Sequence, residues 1–315
     1  DMAMDRRSLI KTLAAGGAAV AAGATTATAA LRKTAPPGAM GMLYDTSLCI
    51  GCKTCVVACK QANDMPADTT AGGGLWDAPN DLNSKTKNII KLYREGERQS
   101  YVKQQCMHCV DPGCASACML HSLQKDKVTG VVMYDPAYCV GCRYCQMACP
   151  FNVPKFEFEK AAPKIVKCEL CRHRIKDAAA KGPGGFTRYP KGQGPACCEV
   201  CPRDAVIYGR RDELLAEAKR RIAAWPGKYH KDRVYGEFDA GGTQVLYLSH
   251  VPFDKIGLPD LGDKPVPETA YTVQEGIYYK VPFAAPVGLF AVLAAVIYRN
   301  KRAESVGAAE RGGQP

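Results

Sequence analysis

The stretch CVGCRYCQMACP, residues 139–150, places four cysteines at intervals of three, three and four residues and follows the last with proline. Three other segments of the chain also carry four cysteines in a similar order. The 315 residues include seventeen cysteines, an odd total that cannot be paired entirely in disulfides within the chain. The repeated spacing therefore favours metal ligation over a disulfide framework.

Each of the four segments supplies one set of four thiols. In the first three segments, three residues separate the last two cysteines, and the same rule selects Cys197 and Cys201 in the fourth. Cys198 is then left over and is predicted not to be a ligand. The predicted ligands, segment by segment, are Cys49, Cys52, Cys55 and Cys59; Cys106, Cys109, Cys114 and Cys118; Cys139, Cys142, Cys145 and Cys149; and Cys168, Cys171, Cys197 and Cys201.

The spacing C-x2-C-x2-C-x3-C-P is typical of bacterial ferredoxins, whose thiolates bind [4Fe–4S] clusters. Three thiolates on a tight loop bind one cluster. The fourth lies about one helical turn further on and binds the other cluster of a pair. Four complete segments therefore predict four [4Fe–4S] clusters. The spacing alone does not decide which segments form pairs.

Other uses of the cysteines fit less well. A structural zinc site needs two C-x-x-C pairs separated by a dozen or more residues, which only the fourth segment resembles. Disulfides between cysteines three residues apart are geometrically poor, and no C-x-x-C-H sequence indicates covalent haem. A zinc-binding, membrane-anchored structural protein remains the alternative from a different functional class.

The composition narrows the function further. Hydrophobic residues make up 47% of the chain, enough for a packed core, and the net charge is +11. The basic residues are scattered and do not alternate with aromatic residues, so we expect no nucleic-acid partner. The sequence contains no nucleophile elbow, phosphate loop or complete dinucleotide fingerprint. It predicts an electron-transfer subunit without a catalytic residue of its own. Basic residues near the cysteines should favour reduced clusters, namely Lys53, Lys60, Arg143, Lys164 and Lys167.

Short strand patterns flank the cysteine segments and predict an α+β fold with two ferredoxin-like cluster-binding modules over residues 40–225. The predicted strands are 41–45, 128–135, 204–209 and, less regularly, 243–249. Residues 211–225 predict a helix whose apolar face is formed by Leu214, Leu215, Ala218 and Ile222.

The two ends of the chain predict where in the cell the protein is located. Arg6 and Arg7 begin a twin-arginine export signal over residues 1–29, with a small-residue cleavage site at 27–29. Residues 277–298 predict a membrane helix, because 18 uncharged residues from 281 span about 27 Å at 1.5 Å each. The basic residues beyond it predict a cytoplasmic tail over 299–315. Residues 226–276, rich in proline and glycine, are expected to form an extended arm that leads to this anchor. A periplasmic protein on a single-pass anchor, exported in the folded state, is expected.

With these motifs in place, the chain resembles the four-cluster ferredoxin-type subunits of membrane-bound respiratory oxidoreductases. It is most similar to the HybA-type subunits of periplasmic uptake [NiFe] hydrogenases. The stretches that carry the resemblance are LYDTSLCIGCKTCVVACK, QCMHCVDPGC, GCRYCQMACPFNVPK, KCELC and GGTQVL, together with an export signal and an anchor on one chain. One departure is Met119, which follows Cys118 where proline is usual.

The resemblance implies that the first segment pairs with the fourth and the second with the third. The ligand sets it implies are Cys49, Cys52, Cys55 and Cys201; Cys59, Cys168, Cys171 and Cys197; Cys106, Cys109, Cys114 and Cys149; and Cys118, Cys139, Cys142 and Cys145. It also implies partners, namely the small and large hydrogenase subunits and an integral membrane subunit that reduces quinone. The same relay could instead serve a molybdenum or tungsten enzyme, such as formate dehydrogenase or polysulfide reductase.

Overall fold

The computed structural model describes residues 33–68, 79–175, 194–271 and 296–297. Residues 33–267 of this set lie in one compact unit. The predicted export signal lies outside the described residues, as does the predicted anchor except for Val296 and Ile297. Within the described ranges, no helix is long and apolar enough to cross a membrane.

The largest sheet joins strands that are far apart in the sequence. β1 (Met40–Asp45) lies between β8 (Val206–Arg210), which is antiparallel to it, and β9 (Val245–Leu248), which is parallel to it. Met42 is aligned with Tyr208 on one side and with Val245 on the other. Because side chains alternate across a strand, the sheet presents two different faces.

One face of this sheet packs against α5 (Arg211–Ala224), the predicted helix. Leu43 of β1 and Ile207 of β8 contact Leu214 and Ala218 of α5 in a small apolar core. The opposite face carries Met42, Tyr44, Tyr208 and Tyr247, which pack against cysteines in the main core. The sheet therefore separates the surface helix from the cysteine-rich interior.

The remaining elements are short and surround the cysteine segments. The hairpins are β2 (Ile89–Glu95) with β3 (Arg98–Gln104), β4 (Leu123–Lys125) with β5 (Val132–Tyr134), and β6 (Lys155–Phe156) with β7 (Ile165–Val166). The cysteine segments contain α1 (Thr54–Gln61), α2 (Gly113–Ser116), α3 (Tyr144–Met147) and α4 (Ala196–Glu199). Single 3-10 turns occur at Pro136–Tyr138, His230–Asp232, Asp239–Gly241 and Asp254–Ile256, and a last short helix, α6, at Glu268–Tyr271.

The structure differs from the predicted arm over residues 226–276. The strand predicted at 243–249 forms as β9, but all four of its residues are buried and it completes the main sheet beside β1. Gly41 allows this pairing, because a Cβ atom there would lie 2.1 Å from the carbonyl oxygen of Gln244. The middle of the predicted arm is therefore part of the core, since its alternating apolar residues complete both faces of the sheet.

Candidate iron–sulfur centres

The four cysteine segments share one backbone feature. In each segment the residue before the second cysteine has a positive φ angle, at Gly51 (72°), His108 (48°), Gly141 (71°) and Leu170 (52°). Left-handed backbone is costly for residues other than glycine. His108 and Leu170 therefore adopt it because the loop requires it, and the sequence gives no signal of it at these two positions.

This turn directs backbone N–H groups towards sulfur. The N–H groups of Gly51 and Leu170 each donate to the first cysteine of their own segment, with 3.4 Å between nitrogen and Sγ. The N–H of Ala205 donates similarly to Cys201 over 3.3 Å. Hydrogen bonds to the sulfurs stabilise thiolate ligands and help to set cluster potentials. The loops are therefore suited to hold thiolates.

Helix packing brings the segments together in crossed pairs. α1 of the first segment packs against α4 of the fourth, and α2 of the second packs against α3 of the third. At the first contact, Ala58 of α1 and Ala196 of α4 meet Cys171 in a small apolar core. At the second, Cys114 and Cys145 share a core with the hairpins that follow them. The second and third segments, which pair with each other, thus lie between the paired first and fourth segments along the chain.

The thiols converge in four groups, which we name quartets A to D. Their membership is that of the ligand sets implied by the resemblance, and each quartet combines three cysteines of one segment with one of its partner segment. Within the sets, Cys201 acts on Cys49, Cys168 on Cys59, Cys149 on Cys109 and Cys118 on Cys145. The members are Cys118, Cys139, Cys142 and Cys145 in quartet A; Cys106, Cys109, Cys114 and Cys149 in B; Cys59, Cys168, Cys171 and Cys197 in C; and Cys49, Cys52, Cys55 and Cys201 in D.

The two outer quartets line cavities. All four cysteines of quartet D line a cavity beside Tyr44 and Ile50. All four of quartet A line another, together with Phe156 and Ile165. Each cavity thus has thiols from two different segments on its wall and apolar side chains around them. This combination suits a bulky inorganic group that is bound only through sulfur.

The quartets form a row. The main core holds thiols of quartets D, C and B together, and Cys114 of quartet B shares a second core with Cys145 of quartet A. Within the main core, Cys197 of quartet C acts on Cys55 of quartet D, and Cys168 of quartet C acts on Cys106 of quartet B. The order is therefore D, C, B, A. Among the described cysteines, Cys52 in D and Cys142 in A are exposed, so each end of the row reaches the surface.

The thiols are held where deprotonation without a metal is unfavourable. Burial, followed by the charges of neighbouring thiols, raises the pKa of Cys171 to about 12. Burial likewise raises the pKa of Cys106 to about 11. A bound metal centre reverses this effect, because coordination deprotonates a thiol outright.

The geometry and the donor set together fit a cluster. In the ranges the structure describes, no three His, Cys, Asp or Glu side chains are close enough to hold a single metal ion. A [4Fe–4S] cluster makes no such demand, because each thiolate binds a different iron. The quartets are therefore suited to thiolates that surround one polynuclear group.

Cys197 and the left-over Cys198 are adjacent and both buried, but their environments differ. Interaction with the Cys198 side chain lowers the pKa of the Cys197 thiol. Burial raises the pKa of Cys198 itself. Cys197 is therefore the stronger thiolate and acts on thiols of quartets C and D. Cys198 lies beside it in the chain and is assigned to no quartet.

The basic residues singled out from the sequence have different surroundings. Lys167 is buried, and its Nζ donates to the carbonyl oxygens of Val132 and Cys168. Lys60 is buried in an ion pair with Asp68, with 2.5 Å between Nζ and Oδ1. Lys103 is completely buried beside quartets C and D and was not predicted, because the mostly polar stretch RQSYVKQ carries no local signal of its burial.

Comparison with known proteins gives these sites a class. The 4Fe-4S dicluster domain family matches residues 98–183, which include the second and third segments. The Hydrogenase-2 operon protein HybA of Escherichia coli O157:H7 is 38% identical over 329 residues, 95% of this chain and 96% of HybA. The nitrate-inducible formate dehydrogenase iron-sulfur subunit of E. coli K12 is 32% identical over 80% of this chain and 82% of its own. The formate dehydrogenase-O iron-sulfur subunit of E. coli K12 is 33% identical over 81% of each chain.

These findings define the chain as a ferredoxin-type iron–sulfur protein of mixed α and β structure that carries several [4Fe–4S] clusters and transfers electrons. More particularly, it belongs to the HybA family, as its resemblance in sequence predicted. The two formate dehydrogenase iron-sulfur subunits are relatives of lower identity.

Proposed function

We propose that this chain is the four-cluster relay subunit of a periplasmic [NiFe] hydrogenase and passes electrons to an integral membrane subunit that reduces quinone. The observation that carries the proposal is the packing of quartets D, C and B in the main core, with quartet A joined to B in a second core and an exposed thiol at each end, Cys52 and Cys142. Quartets A to D would each hold one [4Fe–4S] cluster, and Cys198 would hold none.

When bound, a [4Fe–4S] cluster accepts and releases one electron at a time. The chain contributes the placement and the insulation of these centres. Helix packing fixes adjacent quartets side by side, and buried thiols dominate quartets B and C. Backbone N–H groups at the cysteine loops support the thiolates. The chain therefore holds the inner centres away from water and leaves only the outer two accessible to partners.

The hydrogenase partner is inferred from the relative of 38% identity that is named for a hydrogenase-2 operon. A formate dehydrogenase partner is the second candidate, because two iron–sulfur subunits of formate dehydrogenases are 32% and 33% identical to the chain. The higher identity and the nearly complete coverage of HybA favour hydrogenase.

The two ends of the row differ in their surroundings. Around quartet A, exposed apolar side chains form a broad face, namely Met119, Leu120, Tyr138, Val140, Tyr144, Met147 and Phe158. Near quartet D the exposed apolar residues are fewer, with Ile50 and Val57 both beside the cysteines. An apolar face of this kind indicates a permanent protein or membrane contact.

The course of the chain favours quartet A as the membrane end. Val266 packs so closely on Gly113, beside Cys114 of quartet B, that a Cβ on this glycine would lie 2.9 Å from Val266. Val266, near the end of this unit, thus lies beside quartet B. We infer that quartet A faces the membrane subunit and that quartet D receives electrons from the hydrogenase.

The twin-arginine signal, the anchor over 277–298 and the cytoplasmic tail complete the proposal and rest on the sequence patterns of the two ends. Folded export with the clusters in place would protect the thiols from oxidation in the periplasm. Fusion of a periplasm-active reporter to the chain, with Arg6 and Arg7 replaced by lysine in the control, tests the route. Loss of export only in the control is expected.

The identity of the partner is tested by elemental analysis of the complex purified in detergent through this chain. Nickel together with iron in excess of the hydrogenase's own clusters is expected. Molybdenum or tungsten without nickel would replace hydrogenase by the second candidate, and zinc without excess iron would overturn the relay itself.

The direction of electron transfer is tested by removing one cysteine ligand at either end of the row of quartets. In the Cys142→Ala complex, hydrogen should still reduce the clusters in quartets B, C and D, but quinone reduction should be lost. In the Cys52→Ala complex, hydrogen should reduce none of the remaining inner clusters efficiently. The opposite pattern in spectra recorded under hydrogen would reverse the assignment of the two ends.

A further inference from the structure

Lys103 is the most unusual charged residue in the interior. It lies in β3 near the end of the hairpin, and no part of its side chain is exposed to solvent. Its backbone carbonyl accepts a hydrogen bond of 2.6 Å from the hydroxyl of Tyr247, a fully buried residue of β9. This contact fixes the backbone from which the lysine side chain extends.

The ammonium of Lys103 is hydrogen-bonded to a neutral polar group and is not paired with a carboxylate. Its Nζ donates to Oε1 of Gln105, which is neutral and is also buried. Within the described residues, no Asp or Glu forms an ion pair with Lys103. A buried charge of this kind is very costly unless an opposite charge lies nearby.

The opposite charge comes from cysteine sulfur. Tyr247, which bonds to the Lys103 carbonyl, packs against Tyr44 with 5.5 Å between ring centroids, and Tyr44 lines the cavity of quartet D. Tyr247 also shares the main core with Cys168 and Cys197 of quartet C. The lysine is therefore enclosed beside thiols of two neighbouring quartets, whose charges act on its ammonium.

We propose that Lys103 is a fixed positive charge, shared by quartets C and D, that raises the reduction potentials of the two clusters held there. This inference rests on the proposed ligand sets. The physical reason is that a cluster with four thiolate ligands is anionic and gains a further negative charge on reduction. A cation enclosed in the low-dielectric interior stabilises that added charge far more than a solvated one does. The electron entry half of the row is then easier to reduce.

Other lysines near the quartets do not have the same combination of properties. Lys167 is buried between quartets B and C, but its Nζ is held by two carbonyl oxygens. Lys53 lines the cavity of quartet D but is partly exposed to solvent, where water and salt screen its charge. Lys53 therefore provides a matched control, a lysine close to the same quartet without enclosure.

The test is a redox titration, followed by electron paramagnetic resonance, of the complete complex purified through this chain. Lys103→Met removes the charge and keeps much of the side-chain volume. We expect the equilibrium constant for reduction to fall at least tenfold for the clusters of quartets C and D, about 59 mV for a one-electron couple. Lys103→Arg keeps the charge and should change this equilibrium constant less than threefold. Lys53→Met should also change it less than threefold.

Unchanged potentials in Lys103→Met would overturn the proposal, as would an equal shift in Lys103→Arg or an equal shift of all four clusters. If Lys103→Met does not assemble, Gln105→Glu tests the same charge, because a carboxylate beside Nζ would neutralise it. The same lowering is then expected, and unchanged potentials would be decisive against the role of Lys103. Fewer than four clusters in the unmodified complex would instead overturn the ligand sets.

Discussion

Cys197 and Cys198 offer a direct test of the ligand sets, because two adjacent buried cysteines are assigned opposite roles. Cys197→Ala removes a thiolate that acts on quartets C and D, whereas Cys198→Ala removes a thiol that is assigned to no quartet. With four clusters bound, loss of the quartet C cluster would remove about a quarter of the cluster iron.

Cys198→Ala should keep all the iron. The Cys198 side chain is only 3% exposed, so its deletion leaves a small cavity that costs about 1 kcal/mol of stability. Iron per chain, measured on both variants after the same purification, is the assay. An equal loss in both variants, or a loss in Cys198→Ala alone, would refute the assignment.

Three further predictions concern the fold around the quartets. Gly41→Ala should prevent stable folding, since its Cβ would lie 2.1 Å from the carbonyl oxygen of Gln244. The control Gly262→Ala, with open space around it, should be tolerated. The soluble yield of the two complexes tests this difference. Gln244→Ala should destabilise the unit by about 1–3 kcal/mol, because its Nε2 donates to the carbonyls of Met40 and Thr129, and a lowered midpoint of thermal bleaching would show it. Removal of iron by a chelator should make residues 33–267 sensitive to protease, because burial and crowding make the metal-free thiols unfavourable; unchanged resistance would contradict this.

The sequence was sufficient to predict iron–sulfur ligation, because cluster binding depends on the local spacing of cysteines. Cys139, Cys142 and Cys145 identify a ferredoxin loop without any knowledge of the rest of the chain. The strand at β1 and the helix α5 were predictable for a similar reason, since alternation and helical periodicity are also local. The resemblance to the HybA family rested on the same local stretches and was confirmed by the comparisons.

Tertiary structure decided what depends on residues far apart in the sequence. The pairing of α1 with α4 brings Cys201 to a cavity that Cys49 also lines, and spacing alone left this pairing open. The burial of β9 was missed because its place beside β1 depends on a strand about two hundred residues earlier. Lys103 follows the same principle: its sequence neighbours are polar, and only the fold encloses it between two groups of thiols. Local spacing determines which groups can bind a cluster, whereas the electrostatic environment of the cluster depends on packing between distant segments.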